Sequence, residues 1–192
     1  MNATEQFWAG SFGNQYTDRN RVKYHERMPF WLRVLERTQP ASVLEVGANA
    51  GWNLRAIRGL AQGVKLSGID VNLQAVQEAQ DCGLNVAVCP AADVGRLWPD
   101  SADLVFTAGV LIHIPPEQLP EVMASIIQAS RRWVLAVEYS AEVEEPVEYR
   151  GHADRLWRRP FGRLYEGLGL RLVWSGPADG FDNCCAWLLS KD

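Results

Sequence analysis

Two carboxylates and a glycine-bearing turn stand close together in the first half of the sequence. Glu45 lies two residues ahead of Gly47-Ala-Asn-Ala-Gly51, and Asp70 follows about 20 residues after that turn. Gly47 and Gly51 let the backbone come close to a ligand, with Ala48 between them. Asn49 stands where a third glycine is expected, and Asn is among the few other residues that tolerate positive φ. The two oxygens of Asp70 match the two hydroxyls of a ribose. The other use of an Asp at that place is to cap the helix that starts at Leu73.

The same stretch discriminates between ligands. A dinucleotide fingerprint, G-x-G-x-x-G, needs a small residue where this chain has Trp52. A carboxylate at Glu45 repels a pyrophosphate and suits a cationic amine. S-adenosylmethionine carries an ammonium, a sulfonium and no phosphate, so these residues favour it over a nicotinamide dinucleotide. A purely structural strand–helix turn is the alternative. Methyl transfer from a sulfonium is an in-line displacement from an activated donor, so a protein mainly aligns the nucleophile and excludes water. A hydroxyl or protonated amine also needs a base.

Candidates for base or substrate contact are His113, Glu138, Tyr139 and His152. His113 sits in Val110-Leu-Ile-His-Ile114 and is either a base or a packing histidine. Glu138 either orients a substrate or pairs with a nearby cation. The Arg155–Arg163 run is either a solvated helix face or, through one or two arginines such as Arg159, a site for a carboxylate or phosphate. Asp93 follows Pro90-Ala-Ala92, where it either accepts from an adenine amino group beside the small Ala92 or caps a turn.

The elements that position these residues are legible as alternating patterns. Strands are expected at 43–46, 64–70, 84–89, 102–108 and 132–139, with helices at 73–82 and 117–130 and another opening at Trp52. That alternation predicts a doubly wound, mostly parallel α/β sheet. Strands at 170–174 and 184–189, joined through Gly176-Pro-Ala-Asp-Gly180, predict a closing hairpin. Ahead of the sheet, Asp18 is expected to cap a helix from Arg19 to about Glu36 that Pro29 bends or interrupts. Met28, Trp31, Leu32 and Leu35 form its apolar face. Residues 7–16 are aromatic and do not read as a clean helix; Trp8, Phe12 and Tyr16 either pack on the sheet or cover the cofactor.

The chain has 192 residues, 47% hydrophobic and 22% charged, with net charge −4. These values fit one soluble domain and argue against a nucleic-acid binder. No apolar run approaches the ~20 residues of a membrane span. No signal peptide is read at the N-terminus, and Cys82, Cys89, Cys184 and Cys185 lack zinc spacing, so no metal is expected and the expected place is a reducing cytoplasm.

In Leu44-Glu-Val-Gly-Ala-Asn-Ala-Gly51, Gly68-Ile-Asp70, Ala92-Asp93 and Gly109-Val-Leu-Ile-His-Ile-Pro115 the chain resembles class I S-adenosylmethionine-dependent methyltransferases. The resemblance implies a Rossmann-like seven-stranded sheet ending in an antiparallel hairpin, in a single domain over 1–192. It implies that the Gly47–Gly51 turn wraps the methionine end near Glu45, Asp70 holds the ribose, Val71 and Asp93 meet the adenine, and Ala108, Gly109 and Val110 line the methionine moiety. Residues 7–16, Arg19-Asn20 and the block from Val147-Glu-Tyr-Arg-Gly-His152 to Arg163 are similar to the pseudaminic acid biosynthesis-associated methylase family. The expected acceptor is a small molecule, in the manner of a sugar or nonulosonic acid methylated on O or N. Methylation of an amino acid or peptide-derived natural product is a second reading, and a non-catalytic cofactor-binding module a third. Residues 1–37, with Trp8 and Tyr16, are expected to form a lid over the cofactor. Residues 147–168 are expected on the acceptor side, with Arg19, Asn20, Tyr139, Tyr149, Trp157 and Arg159 as substrate contacts.

Overall fold

The computed structural model describes residues 1–191. The chain begins with two short helices, α1 (Ala3–Ala9) and α2 (Ser11–Arg19). The order then runs through α3 (Met28–Thr38), β1 (Ser42–Val46), α4 (Trp52–Leu60), β2 (Lys65–Asp70), α5 (Leu73–Asp81) and β3 (Val86–Val88). It continues with α6 (Val94–Leu97), β4 (Ala102–Ala108), α7 (Leu119–Ala129) and β5 (Ser130–Glu138). Two short strands, β6 (Glu145–Pro146) and β7 (Trp157–Arg158), pair with each other, and α8 (Phe161–Gly167), β8 (Arg171–Pro177) and β9 (Cys185–Ser190) close the chain.

Seven strands form one sheet in the order β3-β2-β1-β4-β5-β9-β8. The first five are parallel, and β9 is antiparallel to both β5 and β8. Strand order reverses between β1 and β4, which opens a crevice at their carboxyl ends. Period-two alternation splits β1 between two cores. Val43 packs with Trp31, Leu54, Ile57 and Phe106 on the face covered by α3 and α4. Leu44 and Val46 pack with Met123, Ile126 and Phe161 on the face covered by α7 and α8. Glu45 shares the side of Val43, which aims it toward α4.

The N-terminal segment differs from the sequence reading. Residues 7–16 lie in the two helices α1 and α2, broken at the extended Gly10 between them, and α1 starts with an Asn2–Glu5 capping box. The helix expected over 19–36 does not start at Arg19: α2 ends there, a 3-10 turn, Tyr24–Arg27, follows, and α3 begins at Met28. Pro29 does not bend α3. It sits in the first turn, where its missing N–H costs no helical bond. Asp18 ends up late in α2 and caps nothing; it accepts from Gln74 on α5. The buried face of α3 is Phe30, Trp31, Val34 and Leu35, while Leu32 is largely exposed.

Candidate functional site

A cavity lies at the carboxyl ends of β1, β2 and β4, roofed by α1 and α2. Its floor is the turn after β1. Gly47 (φ 77°), Asn49 (φ 48°) and Gly51 (φ 75°) all adopt left-handed backbone. A Cβ on Gly47 would lie 2.3 Å from Val110 Cγ2, so any side chain there collides with the loop after β4. Gly51 does not line the cavity. Its missing Cβ makes room for Leu84, 2.2 Å away, so its role is packing, a correction to its expected ligand contact. Gly109 (φ 69°) lines the cavity, and nothing lies within 4 Å of where its Cβ would be.

Asp70 ends β2 in the cavity wall beside Val71. Its Oδ2 accepts from the Asn49 N–H and its Oδ1 from the Asn72 N–H, both at 2.8 Å. Burial raises its pKa, and the two N–H donors oppose the rise. The helix-cap role belongs to Asn72, whose side chain accepts from Ala75 N at 2.9 Å. Asp70 is therefore not the helix cap, and its carboxylate keeps lone pairs beyond those two bonds.

Glu45 is 1% exposed. Its Oε1 accepts from Asn53 Nδ2 at 2.7 Å, and its Oε2 has no partner among the described residues. Burial pushes its pKa up to about 8, against the pull of Asn53 and of Arg27. Arg27 lines the same end of the cavity and donates to Asn53 Oδ1 at 3.0 Å and to the Gly180 carbonyl at 3.2 Å. An unpartnered buried acceptor costs about 1–3 kcal/mol, so this end of the cavity fits a ligand that brings a donor. The sequence reading missed Arg27, Asn53 and Asn72. Asn72 had a local signal, two residues past an acid and one before a helix; Arg27 and Asn53 reach Glu45 only through tertiary folding.

The roof brings Trp8, Tyr16 and Asn20 into the lining. Burial pushes the Tyr16 phenol up to about 12, which keeps it neutral. Behind the lining is an aromatic seam. Trp8 meets Phe7, Phe12 and Tyr16 edge-on, and lies 4.6 Å from the His113 ring. Tyr149 lies 4.9 Å from His113, and His152 packs edge-on against Phe7 at 5.1 Å.

His113 lines the cavity. Its Nδ1 lies 2.6 Å from the Arg155 carbonyl, so Nδ1 carries the proton and Nε2 the lone pair. Burial pushes its pKa down to about 4. The ring is neutral at pH 7 and too weakly basic to hold a proton well, which favours an orienting acceptor over a strong base.

The other expected catalytic and substrate residues are placed differently. Glu138 is fully buried, and its carboxylate accepts from the backbone N–H groups of Val110, Leu111 and Ile112 at 3.1–3.4 Å. Burial raises its pKa to about 7. It holds the loop that carries Val110 and His113 and lies outside the cavity lining. Arg159 is likewise 0% exposed, bound to Glu144 Oε2 at 2.6 Å and to the Leu111 carbonyl at 2.9 Å. It clamps the same loop and lies outside the cavity lining.

Trp157 is buried beneath the Arg159 guanidinium. Arg19 lies over the rings of Phe12 and Tyr16, and Tyr139, Tyr149 and His152 do not reach the lining. Asp93 also stands outside it and pairs with Arg96 at 2.9 Å, leaving Ala91 and Ala92 at that wall. Ala48, Asn49, Ala108 and Val110 lie in the lining.

Comparison with solved structures places this architecture. The Burkholderia thailandensis 1,6-didemethyltoxoflavin-N1-methyltransferase, solved with 1,6-didemethyltoxoflavin and S-adenosylhomocysteine, superposes with a TM-score of 0.76 at 19% identity, over 100% of this chain and 91% of its own. The chain has the class I methyltransferase fold. The mitomycin 7-O-methyltransferase MmcR gives 0.76 at 16% identity, over 100% of this chain and 61% of its own. The magnesium protoporphyrin IX methyltransferase ChlM from Synechocystis PCC 6803, with bound S-adenosylhomocysteine, gives 0.71 at 14%, over 98% of each chain. No protein-family model matches the sequence, and no curated protein does. Among the described residues no helix is long and apolar enough to cross a membrane.

Proposed function

We propose that the chain is an S-adenosylmethionine-dependent methyltransferase acting on a small-molecule acceptor. The observation that carries this reading is the pair of carboxylates that line one cavity from neighbouring strands, Asp70 with spare lone pairs and Glu45 with an unpartnered Oε2. Asp70 suits ribose hydroxyls, and Glu45 suits the ammonium of the methionine moiety. Arg27 beside Glu45 supplies a cation for the carboxylate of the same moiety. Gly109 leaves open space where a thioether chain passes. The cofactor supplies an activated methyl; the chain binds it, orients the acceptor and excludes water.

The roof of α1 and α2 and the seam against residues 149–152 support a lid reading, because displacement at a sulfonium is best run in a closed site. His113 is the ring of that seam that lines the cavity, and its Nε2 orients an acceptor hydroxyl or amine. The similarity of residues 7–20 and 147–163 to the pseudaminic acid-associated methylases favours a sugar or nonulosonic-acid-type acceptor, modified on O or N. The neighbours named for toxoflavin and mitomycin chemistry support the wider natural-product reading. The cytoplasm is the proposed location.

Calorimetry tests the cofactor: S-adenosylmethionine and S-adenosylhomocysteine bind and nicotinamide dinucleotides do not. Labelled methyl transfer into fractionated metabolites then identifies the acceptor. Dinucleotide binding without S-adenosylhomocysteine binding overturns the proposal, and cofactor binding without transfer to any metabolite favours a non-catalytic module.

The raised Glu45 gives a pH prediction. With a pKa of about 8 in the free protein, Glu45 is mostly protonated at neutral pH. Pairing with an ammonium requires the anion, so binding expels a proton. Affinity for S-adenosylhomocysteine therefore rises as pH rises from about 6 to about 8, by up to roughly tenfold per pH unit. Binding heats at pH 7 should differ between phosphate and Tris buffers by the proton released. Flat affinity with buffer-independent heats assigns the ammonium elsewhere.

A further inference from the structure

The roof is bonded to the two backbone positions that Asp70 organises. Asn49 donates from its N–H to Asp70 Oδ2 and from its side-chain Nδ2 to Thr17 Oγ1 on α2 at 2.9 Å. Asn72 donates from its N–H to Asp70 Oδ1 and from Nδ2 to the Trp8 carbonyl at 3.0 Å and Asn14 Oδ1 at 2.8 Å. Thr17 is 0% exposed. Gly13 permits the approach, since a Cβ there would lie 2.8 Å from Asn72 Nδ2 and 1.7 Å from the Trp8 carbonyl oxygen. The outer ties, Asp18 to Gln74 and Arg21 to Glu78, are exposed, and ties of that kind contribute little.

Asn49 is unusual in this frame. Its φ of 48° is a conformation in which glycine is less strained. What Asn gains over glycine is the side chain, whose Oδ1 accepts from the Ala50 N–H at 2.8 Å and whose Nδ2 reaches Thr17. We propose that Asn49 and Asn72 are latch residues that couple occupancy of the Asp70 site to closure of the α1–α2 lid, so that opening the latch sets the release of the product cofactor. The proposal rests on the cofactor reading above. A ligand on Asp70 fixes the carboxylate that orients both latch backbones. By thermodynamic reciprocity, a closed lid must then raise the affinity of the Asp70 site by the factor with which the ligand favours closure.

The test uses the full chain with Thr17→Val, Thr17→Ser, Asn49→Gly and the double variant Asn49→Gly/Thr17→Val. Valine fills the buried threonine site without its hydroxyl, serine keeps the hydroxyl, and glycine suits the φ of position 49. Dissociation of S-adenosylhomocysteine is followed by stopped-flow fluorescence of Trp8 and Trp52, both in the cavity wall. Amide exchange of residues 11–19 reads the lid. Loss of the bond between Asn49 and Thr17 should speed dissociation by roughly five- to tenfold in Thr17→Val, and by at least as much in Asn49→Gly, which also loses the bond from the Ala50 N–H to Asn49 Oδ1.

Thr17→Ser should stay near the wild-type rate. The double variant should be no faster than Asn49→Gly, because the bond to Thr17 is already gone in that variant. A wild-type rate in Thr17→Val, equal rates for the valine and serine variants, or effects that multiply in the double variant each overturn the latch. If the wild-type chain binds no S-adenosylhomocysteine, the cofactor reading fails separately. Ligand-free exchange then decides the latch: faster exchange in Thr17→Val than in Thr17→Ser retains it, and equal exchange removes it.

Discussion

Asp70→Ala is expected to weaken S-adenosylhomocysteine binding by about one to two orders of magnitude. A carboxylate that accepts from ribose hydroxyls makes charged hydrogen bonds of about 1.5–3 kcal/mol each, at 1.4 kcal/mol per decade of affinity. The same substitution strands the N–H groups of Asn49 and Asn72, which both donate to this carboxylate. Part of the loss will therefore come from a loosened turn. Asp70→Asn separates the two effects: it can keep an acceptor for one N–H but loses the charge and bidentate match. Calorimetry on both variants, with thermal unfolding as the control, is the measurement. Wild-type affinity in a folded Asp70→Asn protein would leave Asp70 as an organiser of the turn alone.

Removal of residues 1–20 is expected to abolish turnover and to weaken cofactor binding by at least about tenfold, while leaving the sheet folded. The physical basis is the distribution of burial. Both apolar cores are built from residues beyond the two roof helices, and their outermost N-terminal contributors are Tyr24 and Met28. The roof contributes Trp8, Tyr16 and Asn20 to the cavity wall and covers what is otherwise the open end of the sheet. Without it a ligand loses those contacts and water enters, which weakens every electrostatic interaction in the site. Circular dichroism and cooperative unfolding report the fold; calorimetry and methyl transfer report the site. Full turnover by the truncated chain would reduce the roof to packing.

The strand–turn–helix around Gly47 was legible because its signals are local. An apolar run sets a buried strand, left-handed backbone is favoured at Gly and Asn, and the spacing to Asp70 follows from one βαβ unit. The hairpin of β8 and β9 was legible for the same reason, with Gly and Pro between two alternating runs. Element ends were less so, as with the helix drawn through Asn20, because the turn that ends α2 and the 3-10 turn that follows it have no strong breaker. Pro29 left two outcomes open, a bend or an interruption, and the interruption is what the turn before Met28 provides, with Pro29 in the first turn of a new helix.

The sequence alone determined the parallel sheet, the glycine turn and the two acids at strand ends, since period, φ preference and spacing are properties of neighbouring residues. Tertiary structure decided which polar groups face the cavity. Glu138 and Arg159 carry the residue types of catalytic and anion-binding groups, yet both turn inward to hold the backbone around Leu111. Arg27 and Asn53 carry no local sign of function, yet they meet at Glu45. Thr17 with Asn49, and Trp8 with Asn72, join segments that no local pattern relates. Contacts of that kind are fixed by how helices pack across strand ends, and a buried polar side chain takes whichever partner that packing brings within hydrogen-bonding distance.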